Sequence, residues 1–127
     1  MTNPQEVLDH LREQRAMSKS PKVQGIEVLF DPNYRGKLPI SREDMAAYMK
    51  VVGEAFEVHL DRERIRHGLW KDYPAKDQNF QVTVKADRIK RALETEDLTT
   101  EEIVEVISEA WDIVNYAIFA IRKLRGE

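Results

Sequence analysis

Toward the end of the chain, apolar residues recur at strict four-three spacing: Ile103, Ile107, Ala110, Val114, Ala117, Ile121 and Leu124. That repeat belongs to one face of a helix. Val104, Trp111 and Ile118 flank the seam on one side, and Val106, Ile113 and Ala120 on the other, so more than half the circumference is apolar. A helix of this kind is expected to touch several others. Its ends are marked as well. Thr99 and Glu102 have the spacing of a capping box, and Gly126 follows Lys123 and Arg125 as a C-terminal stop.

Three further helices follow from the same kind of pattern. Near the N-terminus, Asn3 is placed as an N-cap with Pro4 behind it and Glu6 in the first turn, leading into a short stripe of Val7, Leu8 and Leu11. A second helix opens at Ser41 and Asp44 and runs to about Gly68, with Met45, Met49, Val52 and Phe56 as its buried stripe. A third covers roughly Asn79 to Glu94, with Val82, Ala86, Ile89 and Leu93 facing inward.

One stretch is not helical. Ile26, Val28 and Phe30 alternate with Glu27 and Leu29, and Asp31-Pro32-Asn33 supplies a turn. Two readings stay open: a small hairpin with Lys37–Ile40 as its second arm, or an extended arm packed on a neighbour. The expected fold is all-α, an antiparallel bundle of about four helices with this small extended or hairpin arm. It forms a single domain, with residues 1–41 as N-terminal helix and arm and 42–127 as the bundle core.

Composition narrows the function classes. Lys and Arg number 20 against 23 Asp and Glu, a net charge of -3, which argues against a general coat for nucleic acid but leaves room for a local basic patch. There is no cysteine, hence no disulfide, thiolate metal site or cysteine nucleophile. The N-terminus lacks the apolar stretch of a signal peptide, and the run from Ile113 to Ile121 is too short to span a bilayer, so a cytoplasmic protein with no membrane partner is expected.

The candidate chemistry lies on the helices. Glu105, Glu109, Asp112 and Tyr116 share the face of the last helix opposite its apolar seam, and no Lys or Arg occurs from Thr99 to Ala120 to neutralise them locally. Such acids are either a solvated face or ligands. Glu54 and Glu57, with Asp61 beyond, repeat the i, i+3 spacing on the second helix, and carboxylates on facing helices are how bundles hold hard divalent cations. Lys85, Arg88 and Arg91 form a basic row that can face phosphate oxygens or pair with Asp87 and Glu94. Arg66, His67, Trp70, Lys71 and Tyr73 fall together in a loop that can stack a base and hold phosphate, or pin a bundle corner. His59, Glu63 and His67 have helical spacing but no second ligand cluster to make a zinc site. No P-loop, dinucleotide-binding or hydrolase-elbow motif is present.

With Glu109-x-x-Asp112 followed by IVNYAIFAI, the chain resembles the MazG-like all-α nucleoside triphosphate pyrophosphohydrolases. It looks closer still to phage-associated nucleotide-modification proteins, whose last helix reads as an acidic pair followed by NYA. KDY at Lys71–Tyr73 and the basic helix KADRIKRALE are similar to that second group, and the resemblance spans roughly Met45 to Leu124. It implies Mg²⁺ or Mn²⁺ held by Glu54, Glu57, Glu109 and Asp112 as the catalytic set, with a metal-activated water cleaving between the α- and β-phosphates of a nucleotide. Lys85 and Arg88 would balance phosphate charge, Lys71 and Trp70 would contact the substrate, and Asn115 would be a polar neighbour. Homo-oligomers, dimers or tetramers, are expected. The alternative is a non-catalytic helical module, a phage-type regulator or inhibitor, that binds a nucleotide or a protein and works as an oligomer.

Overall fold

The computed structural model describes residues 3–16 and 30–127. Its elements are α1 (Pro4–Ala16), α2 (Arg42–Arg66), a 3-10 turn η1 (Leu69–Asp72), α3 (Ala75–Leu93) and α4 (Thr100–Leu124). No strand occurs among the described residues, and the chain folds as an all-α helical bundle. Of the expected arm, Gly25–Leu29 lies outside the described residues, and 37–40 carries bends rather than a second strand. Two compact units divide the chain, Met1–Lys50 and Val51–Glu127, with the boundary inside α2.

In the first unit, local polar groups set the ends of the elements. Asn3 Oδ1 accepts from the Gln5 amide at 2.9 Å and caps α1. Asp31 closes its turn twice, through its side chain to the Asn33 amide and its carbonyl to the Tyr34 amide. Arg42, at the start of α2, donates back to the carbonyls of Asp31 and Tyr34. The Ser41 hydroxyl caps α2 by accepting from the Asp44 amide at 3.1 Å.

In the second unit, α2 is stopped by two successive left-handed residues, His67 (φ 47°) and Gly68 (φ 75°). Glycine carries that conformation without strain, and the chain turns directly into η1. The helix α3 begins at Ala75, four residues ahead of the expected Asn79, because Pro74 holds the extended N-cap geometry and frees Ala75–Gln78 to wind. The expected capping box of α4 is formed in both directions between Thr99 and Glu102, each at 3.2 Å. A short link at residues 94–99 folds α3 back along α4 as a helical hairpin.

The expected core is turned outward. Ile103, Val104, Ile107, Ile118, Ile121 and Leu124 on α4 are between 43% and 68% exposed. The buried residues of that helix are Asp112, Asn115 and Phe119, from the opposite face. On α2, Met45 is buried and Val52 half-buried, but Met49 and Phe56 are exposed, and Ala55 (1% exposed) marks the inward face. Leu93 and Ala86 of the α3 stripe are exposed too. Periodicity shows which residues share a face, but not which face meets a neighbour. Here the polar face of α4 finds partners on α2 and α3 for its charges and amide, and that fixes the orientation.

Candidate functional site

The inward polar face of α4 is built turn by turn. Glu109, Asp112 and Asn115 follow one another at helical spacing, and Phe119 continues the row one turn on. Each meets a group from another element. Asp112, 5% exposed, pairs with Arg62 of α2 and with Lys85 of α3, whose Nζ lies 3.0 Å from Oδ2. Glu109 holds the same Lys85 Nζ at 3.1 Å and Arg88 at 3.3 Å. Asn115, 6% exposed, donates to the Ala55 carbonyl of α2 at 2.9 Å.

Two carboxylates thus face three cations drawn from the helices on either side. Burial opposes the charge on Lys85, but its hydrogen bonds to Asp112 and Glu109 and their negative charge outweigh that and raise its pKa above the ordinary value. The network binds the three helices by charge where a bundle is usually held by apolar packing.

Beyond Asn115 the face becomes aromatic. Trp70, buried in η1, stacks on Phe119 with ring centroids 4.6 Å apart and planes at 12°. The His59 ring of α2 is tilted against Phe119 at 5.0 Å, and Tyr116 meets it edge-on. Arg122 lies over the Trp70 ring at 4.8 Å. Gln78, 2% exposed at the start of α3, donates to the Trp70 carbonyl at 2.8 Å and fixes η1. Lys123 Nζ does the same at the Lys71 carbonyl, at 2.7 Å.

These groups enclose a cavity of about 90 Å³ lined by Arg62, Arg66, Trp70, Tyr73, Asn115 and Phe119, among others. Of the ion-pair network, Arg62 alone reaches its lining, where it joins the cavity to Asp112. Its rim carries Arg66, which has no ion pair among the described residues. Such a cavity offers guanidinium donors beside flat rings, the donor set for an anionic group attached to a planar one.

The residues expected from sequence are distributed unevenly. Glu109, Asp112, Lys85 and Arg88 come together, but as partners of one another. Trp70 and Asn115 line the cavity, while the Lys71 ammonium lies 5.9 Å from the Trp70 ring centroid. Glu54 is half-buried and Glu57 exposed on α2, and among the described residues no three acids, histidines or cysteines group as a metal site. A divalent ion on Glu109 and Asp112 would have to displace Lys85, so this donor set does not fit Mg²⁺ or Mn²⁺ as arranged. His59 and Glu63 line the cavity, and His67 ends its helix. Arg91 pairs with Asp87 on the surface of α3 at 3.0 Å. Sequence reasoning passed over Arg62 and Gln78. Both are isolated polar residues in charged stretches, and only the tertiary partner of each distinguishes it.

Compared with known proteins, the chain matches no family model, no curated protein and no solved structure.

Proposed function

We propose that the chain is a helical binding module for a nucleotide-class ligand, taken up through its phosphate without turnover. The observation that carries this reading is the Arg66 guanidinium, without an ion pair among the described residues, on the same cavity as Arg62, Trp70 and Tyr73. A cavity of about 90 Å³ has room for a phosphoryl group rather than a whole nucleotide. The phosphate would enter between the two guanidinium groups, with the base lying across exposed Tyr73 at the mouth. The buried ion pairs behind Arg62 would hold that side chain in place for binding.

Isothermal titration with AMP, ATP, adenosine and inorganic phosphate tests this directly. Binding of AMP or ATP without added metal, and none of adenosine, is the expected result. Arg66→Met should weaken it roughly ten- to a hundredfold, the loss of one charge-assisted hydrogen bond. Absence of binding by every phosphate-bearing probe would overturn the proposal.

A second reading rests on Arg62, which lines the cavity and is bonded to Asp112. It is the Mg²⁺-dependent pyrophosphohydrolase implied by the MazG-like resemblance, with Glu109 and Asp112 freed from Lys85 when substrate and metal bind together. Release of pyrophosphate from a nucleoside triphosphate with Mg²⁺ or Mn²⁺, abolished by Asp112→Asn, would establish it.

A further inference from the structure

The outward seam of α4 has no counterpart in its own unit, yet it keeps the four-three repeat of a helix built to pack along another. Its six most exposed large residues present on the order of 500 Å² of apolar surface, at the top of what monomers leave in one patch. Half-buried Val114, Ala110, Ala117 and Trp111 extend the patch toward the roughly 800 Å² per partner of a stable interface. Apart from Ala55, no apolar residue among those described is fully buried, so the described fold lacks the interior that would offset the exposure.

We infer that this seam pairs with the α4 seam of a second copy of the chain, antiparallel about Val114. The spacing favours that register. Reversal about Val114 sets Ile103 against Leu124, Ile107 against Ile121 and Ala110 against Ala117, so large residues meet large ones and the alanines let the backbones close near the axis. The helix is acidic in its first turn (Glu101, Glu102) and basic in its last (Arg122, Lys123), and antiparallel pairing places opposite ends together. One patch meeting itself about a two-fold is the closed arrangement expected of a homodimer. The inference is independent of the ligand cavity, which lies on the opposite side of α4.

The full chain tests it. Light scattering coupled to gel filtration should give twice the 14.8 kDa chain mass, or an even multiple of it, at micromolar concentration. Because the protein has no cysteine, Val114→Cys introduces a single thiol, which should cross-link two chains under mild oxidant. Ile103→Cys should not cross-link alone but should do so when mixed with Leu124→Cys. Ile107→Lys should yield monomers, and adding Ile121→Glu in the same chain should restore the pair. Circular dichroism of each variant separates dissociation from unfolding. A monomeric wild type would overturn the inference. Ready cross-linking of Ile103→Cys alone would overturn the antiparallel register, and an oligomer in which Val114→Cys stays uncross-linked would assign the contact to another surface.

Discussion

The ammonium of Lys85 lies 3.0 Å from Asp112 Oδ2, a contact between α3 and a face of α4 that is almost closed to water. Removing the charge of Asp112 leaves Lys85 and Arg62 facing a site with half its compensation gone. Asp112→Asn should therefore destabilise the fold by about 3 kcal/mol, the cost of breaking a buried pair from one side. Urea unfolding measures it. A stability equal to or above wild type would show the acids to be a repelling cluster instead.

The same contact predicts behaviour at high pH. The pKa of Lys85 is raised in the folded state, so its contribution is complete below the unfolded value of about 10.5 and is lost as pH climbs through the folded one. Stability of the wild type should fall more steeply above that pH than stability of Lys85→Met. Parallel pH profiles for the two proteins would remove Lys85 from the account.

Metal alone should do little. With Lys85 and Arg62 on the carboxylates, millimolar Mg²⁺ or Mn²⁺ should leave the melting curve unmoved in the absence of nucleotide. An ion present at a hundredfold over its Kd would add roughly 2.7 kcal/mol, several degrees in Tm. A rise of that size, abolished by Glu109→Gln, would bring the hydrolytic reading forward.

Gly53 sits mid-helix in α2, and a Cβ there would meet nothing within 4 Å. Gly53→Ala should stabilise the isolated fold by about 0.5–1 kcal/mol through the lower entropy of the unfolded chain. A loss of stability instead would show that something outside the described residues approaches that side of α2.

Local chemistry was legible in the sequence wherever neighbours in the chain decide it. Thr99 with Glu102, Asn3 with Pro4, and the Asp31 turn each have their partners within a few residues, and each forms as expected. Pro74 shows the limit, since polar AKDQ reads as loop until the N-cap geometry is known. Orientation was not legible. The α4 seam has the same spacing whether it faces α2 or solvent, and the decision rests on Arg62 and Lys85, 50 and 27 residues from Asp112 in sequence. Acids without local cations were a sound signal that something distant neutralises them. Whether that would be a metal or a side chain depends on tertiary pairing, which spacing does not encode.

The bond from Asn115 to the Ala55 carbonyl also works as an index mark between two helices. One turn either way along α2 stand Val51 and His59, both bulkier than the alanine that lets Asn115 reach the backbone. Sliding α4 by a turn would therefore strand a buried amide against bulk, at a cost of about 1–3 kcal/mol before any charge is moved. The Arg62–Asp112 pair and the His59–Phe119 contact hold the same two helices on the same register. The cavity that Arg62 and Phe119 line is therefore built on a fixed register of the two helices.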